Sequence, residues 1–377
     1  LPSSPPPRWS RPLLPWPRMV RRRRHSRSLP RARSIRTTAV LISRHGPPEA
    51  LVGREISLAD PGDGEVHLRV EAAGVNFADL AMRMGLYGTV PPLPFSPGFE
   101  VAGVVARRGT NVTEFHEGDR VVALIRYGGY ARDLIIPAKN LFRYPESLTP
   151  AQAAAIPVVF LTAHIALFTT AHATEGETAL ILGAAGGVGT AAVQLAVEAG
   201  LRVVGTAGTE AKRAFVCREL GAAACFDSRG DWEPSVLGHV GHRGIDVALD
   251  PVGGEATSAC LRLLAPFGRL VFYGLSQAMP GQSRSWPRAA WAWLRTPRIH
   301  PLSLVERNTG VFGIHLLHLQ RKEQLLRPAM ESIYARAAAG RLRPIIDRTF
   351  PLTRDGAVAA HHHLHGRRAT GKVVLTA

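Results

Sequence analysis

The sequence predicts an α/β protein, with a mainly β-stranded first part followed by a doubly wound parallel sheet. Three observations carry this expectation. Residues 39 to about 158 hold short runs in which apolar and polar side chains alternate. Beyond them, short apolar strands alternate with helical patterns, and the first of those strands opens into the glycine-rich turn "GAAGGVG". With 377 residues, 46% of them hydrophobic, the chain can bury two cores.

Residues 1–38 stand apart from this texture. They hold eleven Arg and no Asp or Glu, so only +6 of the formal charge of +17 belongs to the rest of the chain. Such a Pro-, Arg- and Ser-rich stretch cannot bury enough apolar surface to fold alone and is expected to be disordered. An organelle transit peptide, a nucleic-acid arm and a patch for anionic membrane are competing readings; the preferred one is that the natural chain starts at Met19 or later. No apolar run of roughly 7–15 residues follows residues 21–24, which argues against a secretory signal.

The first part reads as strands. In "EVHLRVEAAG", Val66, Leu68 and Val70 alternate with His67, Arg69 and Glu71, the period of a half-buried strand. "EVAGVVARRGTNVTEFHEGDRVVALI" gives two strands around a Gly- and Asn-containing loop, and "GGYARDLIIPA" another. "TPAQAAAIPVVFLTAHIAL" is helical. The parallel sheet is then expected from "TALIL", "LRVVGTAG", "GIDVALD", "GRLVFYG" and "TGVFGIHL".

Between "TALIL" and "LRVVGTAG" lie Gly183, Gly186, Gly187 and Gly189. In a helix interior each would cost ~1 kcal/mol against Ala, so a plain helix is not expected there. A strand, a turn and a helix are, with Val188, Ala192 and Leu195 facing inward and Gly200 as the stop. A turn of this kind brings backbone N–H groups at a helix N-terminus to a pyrophosphate, and in this strand–turn–helix context it predicts a dinucleotide site. An NAD site usually places an acid at the end of the second strand for the ribose 2′-OH. Here Gly205, Thr206 and Ala207 stand in that region, with Lys212 and Arg213 just beyond, which favours NADPH.

The stretches "AAGVNFADLAMRMGLYG", "PFSPGFEVAGVV", "GDRVVAL", "AAIPVVFLTAHIAL", "GAAGGVGTAAVQLA", "LDPVGG" and "GKVVL" run in the order of the medium-chain dehydrogenase/reductase superfamily. The chain resembles its zinc-free quinone oxidoreductase branch, and "GVNFADL", "GLYGTVPPLPFSPGFE" and "GVFGIHL" are most similar to the vesicle amine transport protein homologues. The resemblance implies a GroES-like β domain at 39–158, a Rossmann NADPH-binding domain at 159–318 and a return of residues 319–377 to the first domain. It also implies a homodimer joined through the Rossmann sheets.

Zinc-dependent members are similar but have Cys where Asn76 stands and His where Phe99 stands. Neither an amide nor a phenyl ring is a credible zinc ligand, so no catalytic metal is expected; Glu100 is expected to form a structural salt bridge. Without a Lewis acid, acceptors that spread the charge left by hydride onto a remote oxygen are favoured, namely quinones and α,β-unsaturated carbonyls. By resemblance, Asn76, Tyr87 and Thr162 line the nicotinamide and substrate pocket. Gly183, Ala185, Gly186, Gly187, Val188, Gly189, Thr206, Lys212, Ser228, Val252, Tyr273, Phe312, Gly313 and Lys372 are the implied cofactor contacts. Two positions depart from the family: His164 and Ser228 stand where Tyr is frequent, the second on the 2′-phosphate side.

Cys217, Cys225 and Cys260 match neither a disulfide framework nor a structural zinc site, and a reducing cytoplasm is expected. Residues 275–310, with Trp286, Trp291 and Trp293 among several Arg, are expected to form a capping helix or dimer contact; a membrane-surface helix or substrate lid is the alternative. In "HHHLH", His361 and His365 lie one helical turn apart, and a solvated face is expected rather than a metal site. The function expected is NADPH-dependent, zinc-independent reduction of quinones or enones by direct hydride transfer. The alternative is an NADPH-binding protein that associates with membranes or partners and turns over little. Nucleic acid is not an expected partner.

Overall fold

Three sheets organise the computed structural model of the protein, which describes residues 34–88, 90–279, 281–282, 286–321 and 323–377. The arginine-rich segment through residue 33, with Met19, lies outside the described residues. Strands β1 (Ile35–Ile42) and β2 (Leu51–Leu58) form an antiparallel pair, Ile35 opposite Leu58 and Ile42 opposite Leu51. The tail boundary expected at residue 38 therefore falls inside β1. Thr37 is buried and its hydroxyl donates to Asp133 at 2.7 Å, which ties this end of the strand down.

The second sheet contains β3 (Glu65–Val75), β4 (Glu100–Arg108), β5 (Arg120–Leu124), β6 (Asp133–Pro137) and β7 (Leu141–Arg143). A short helix α1 (Phe77–Met84) follows β3, and α2 (Pro150–Ala154) and α3 (Pro157–His164) follow β7. The chain then builds the third sheet from β8 (Thr178–Ile181), β9 (Arg202–Ala207), β10 (Ala224–Asp227), β11 (Ile245–Asp250), β12 (Leu264–Phe272) and β13 (Gly310–Gly313). Finally β14 (Ile346–Pro351) and β15 (Lys372–Thr376) return to the second sheet, whose order is β14-β15-β3-β4-β5-β7, with β6 also paired to β3.

All pairs in the third sheet are parallel, and its order is β10-β9-β8-β11-β12-β13. This is the doubly wound arrangement whose direction reverses between β8 and β11, where the carboxyl ends of the strands leave a crevice for ligands. Strand β10 is an addition to the five strands read from the sequence. The two large sheets share one continuous core that includes Val122, Phe160, Ile181, Ala192 and Met330. They lie in a single compact unit, Ser34–Ala377. Among the described residues no helix is long and apolar enough to cross a membrane.

Candidate functional site

The glycine turn follows β8 and leads into α4 (Gly187–Glu198). Gly183 has φ of 65°, a left-handed conformation that favours glycine, and its N–H donates to Thr206 Oγ1 at 3.2 Å. The Ala184 N–H donates to the Thr206 carbonyl at 2.9 Å, so Thr206 clamps the turn from β9. At Gly189 a Cβ would lie 2.2 Å from the Gly183 carbonyl oxygen, which lets α4 start directly against the turn. Gly186 caps α4 without a side-chain bond. The N–H groups of Gly187, Val188 and Gly189 have no acceptor within the helix, and the helix dipole points its positive end at the same place. These residues fit a pyrophosphate. Ala185 faces the other sheet through its carbonyl, which accepts from Gly371 N–H at 2.8 Å, next to Lys372.

At the end of β9, Ala207 and then Gly208 leave the strand end without an acid. Arg213 reaches Asp227 at 3.1 Å and the Ala207 carbonyl at 3.5 Å, while Arg229 grips Asp227 through two nitrogens at 3.1 and 2.9 Å. The two guanidinium groups hold the Asp227 carboxyl well below the usual range, Arg229 contributing most. Ser228 is exposed between them, and a Cβ on Gly208 would come within 3.6 Å of its hydroxyl. Two cations around one carboxylate leave positive charge here, which fits a 2′-phosphate. Lys212, expected to serve it, is instead bonded to the carbonyls of Arg367 and Ala369 at 2.8 and 2.7 Å. Arg229, missed in the sequence, lies in "DSRG", where an exposed turn gives no signal.

The other implied cofactor contacts stand at the carboxyl edge of the same sheet. Buried Asp250 ends β11 and accepts from Val252 N–H, Gly253 N–H and the Thr257 hydroxyl at 2.7, 3.0 and 2.6 Å, fixing the "DPVGG" loop. Tyr273 follows β12, its N–H on the Asp250 carbonyl at 3.1 Å. Phe312 and Gly313 close β13, with Phe312 exposed.

On the facing sheet, Asn76 sits just before α1. Its Nδ2 donates to Glu100 Oε1 at 2.9 Å, and its Oδ1 accepts from Lys372 Nζ at 2.5 Å. Lys372 also pairs with Glu100 at 2.5 Å, and Val158 N–H completes the carboxylate at 2.7 Å. The salt bridge expected of Glu100 thus has Lys372 as its partner. Both charged residues are buried, and Gly74 leaves room for the carboxylate, since a Cβ there would fall 2.3 Å from Oε1. The Lys372 ammonium is thereby committed to Asn76 and Glu100 instead of being free for a cofactor. Thr162 is buried within α3. Tyr87 follows α1, half-buried, its ring 5.7 Å from Phe99 and 5.5 Å from His315. Burial, aided by the Asp79 charge, pushes the Tyr87 phenol up, so it stays protonated as a donor.

Two further expectations meet the structure here. The "HHHLH" segment ends the helix Arg354–His365, and the solvated face expected of it holds only in part: His361 is fully buried and bonded to Tyr130 at 3.2 Å and His363 is largely buried against Asp347, while His362 stays partly exposed beside Glu49. The helix packs between elements that supply a separate partner to each of these three rings. Residues 286–295 form the expected helix, Trp286–Arg295, with Trp291 and Leu294 exposed; the side chains of Trp286 and Trp293 lie outside those described. Among the described residues no group of three or more His, Cys, Asp or Glu side chains is arranged to hold a metal ion.

Comparison with known proteins fits this geometry. Residues 62–146 match the family described as alcohol dehydrogenase GroES-like domain, and 220–375 the one described as zinc-binding dehydrogenase. The synaptic vesicle membrane protein VAT-1 homolog of Rattus norvegicus is 35% identical over 84% of this chain and 77% of its own. Human quinone oxidoreductase is 33% identical over 89% of this chain and 97% of its own. Among solved structures, the Escherichia coli quinone oxidoreductase complexed with NADPH superposes with a TM-score of 0.79 at 28% identity, covering 90% of this chain and 100% of that one. The CurK enoyl reductase superposes with a TM-score of 0.78 at 26% identity, covering 90% and 99%.

Proposed function

This chain belongs to the medium-chain dehydrogenase/reductase superfamily, and from that premise we propose that it is an NADPH-dependent, zinc-independent oxidoreductase reducing quinones or α,β-unsaturated carbonyls by direct hydride transfer. The observation that carries the reading is that two prepared surfaces meet where Gly186 bridges Gly371. On one side the uncapped start of α4 offers its N–H groups at the β8–β11 switch point. On the other, the Asn76 amide is held by Glu100 and Lys372.

In this reading the 159–318 domain binds the cofactor, the 39–158 and 319–377 segments shape the acceptor side, and NADPH, when bound, supplies the hydride. Gly187, Val188 and Gly189 hold the pyrophosphate; Arg213, Ser228 and Arg229 receive the 2′-phosphate. Val252, Tyr273, Phe312 and Gly313 border the nicotinamide. Asn76 orients the acceptor with its amide fixed by two bonds, Tyr87 donates a hydrogen bond to the acceptor oxygen, and Thr162 closes the pocket floor. Asn76 and Phe99 stand at positions where zinc-dependent relatives carry ligands, which supports an acceptor activated by hydrogen bonds. A reducing cytoplasm suits its three free cysteines.

Loss of 340 nm absorbance, with NADPH and NADH run in parallel on a soluble ortho-quinone and an α,β-unsaturated ketone, tests the reading. Turnover that prefers NADPH and survives chelator treatment is expected. Cofactor binding without consumption of either acceptor would favour the second reading, a membrane-associated binding protein. That reading draws support from exposed Trp291 and Leu294 beside Arg295, and is checked by co-sedimentation with anionic vesicles of wild type against Trp291→Ala/Leu294→Ala.

A further inference from the structure

Reduction of such an acceptor needs a proton at its oxygen as well as hydride. The Asn76 amide cannot release one, Thr162 is a buried alcohol, and the Tyr87 phenol is held protonated by burial and the Asp79 charge. A histidine that meets water stands beside Tyr87. His315 lies two residues past the end of β13, at the carboxyl edge of the parallel sheet. Its ring comes within 5.5 Å of the Tyr87 ring at 45°, and Tyr87 in turn rests on Phe99, next to Glu100, which holds Asn76. His318 stacks on His315 at 4.1 Å and 20°, while the His315 side chain remains exposed to solvent.

We propose that His315 is the proton donor to the reduced acceptor, a role that rests on the oxidoreductase reading above. The N–H bond of the imidazolium breaks and an O–H bond forms on the acceptor, whose two new electrons are those of the hydride. The neutral imidazole regains its proton from bulk water through its exposed side. The charged and titratable groups facing it are Tyr87 from the loop after α1, His318 from its own segment and Arg126 from the loop after β5. Burial first, then the positive charge of His318 and Arg126, lower its pKa below 6.5. The donor form is therefore favoured at acid pH and gives up its proton readily.

The test uses His315→Gln and His315→Phe, the second keeping a ring against Tyr87. Both should bind NADPH with wild-type affinity by fluorescence titration, while kcat with an α,β-unsaturated ketone falls about 100-fold. In wild type, kcat should decline as pH rises through a value below 6.5, and the same pKa should appear in the NMR titration of the His315 ring of the protein without cofactor. The variants should lose that pH dependence. If wild type turns over and both variants keep its kcat and pH profile, His315 is not the donor and the oxidoreductase reading stands. If wild type binds NADPH but reduces neither acceptor class, the oxidoreductase reading falls and takes this proposal with it.

Discussion

At the scale of single residues, the Glu100–Lys372 pair is the strongest electrostatic commitment near the site. Each side chain is almost wholly buried, so removing the ammonium leaves a carboxylate that water cannot reach. Lys372→Met is expected to cost about 3 kcal/mol in urea unfolding, near the lower end for breaking a buried pair because two N–H donors still serve Glu100. Glu100→Gln/Lys372→Met should recover part of that loss; a double variant less stable than the single one would contradict the pairing. Asp79 gives a pH signature. It accepts from Asn76 N–H and Gly98 N–H at 2.7 and 2.8 Å, yet full burial pushes its carboxyl from 3.8 up to about 7. The folded form therefore binds the proton more tightly than the unfolded one. Its contribution to stability is complete below pH 3.8 and is lost as pH rises through about 7. The stability difference between wild type and Asp79→Asn should shift across that window, and a difference flat with pH would contradict the assignment. Arg229→Ala should narrow the preference for NADPH over NADH about tenfold in binding titrations, reflecting roughly 1.4 kcal/mol for one charged contact.

The unit made of β8, the glycine turn, α4 and β9 is the element on which cofactor binding rests. Gly189→Ala would drive a Cβ to 2.2 Å from the Gly183 carbonyl and 2.7 Å from Ala184 Cα. It is expected to destabilise the protein by roughly 1–3 kcal/mol and to weaken NADPH binding, read by thermal unfolding and fluorescence titration. This unit was legible in the sequence because an apolar run, glycines no helix would choose and an inward-facing helical stripe agree with one another. β1 was hidden by the arginine-rich stretch it adjoins, where Arg36 and Thr38 face outward while Thr37 and Ala39 are buried. β10 has four half-buried residues, too few to show a period. The histidine helix misled in part because its polar composition suggested water, whereas His361, His362 and His363 each found a partner on a different element. Of the site, Asn76 and Lys372 were each visible through resemblance. Their contact spans 296 positions, and no local pattern announces it.

At the scale of the whole molecule, β13 is the terminal strand of the parallel sheet, and apolar side chains cluster in the segments that lead into that edge. Phe267 is 79% exposed and Val305 70%. A homodimer joined along this edge would cover them. Sedimentation of wild type should give a dimer, and Phe267→Asp, at a φ of 63° that Asp tolerates, should shift it toward monomer without disturbing the crevice. A wild-type monomer would contradict the edge-to-edge assembly. The central claim is broader: the two sheets meet to pass hydride directly from a bound nicotinamide to an activated acceptor with no metal between. The measurement that tests it most directly is the fate of deuterium from NADPH labelled at C4 of the dihydronicotinamide, with chelator-treated protein and an α,β-unsaturated ketone. Label recovered at the β-carbon of the product, from one face of the nicotinamide only, is the expected result. Product without label, or turnover that returns only with added zinc, would contradict the account.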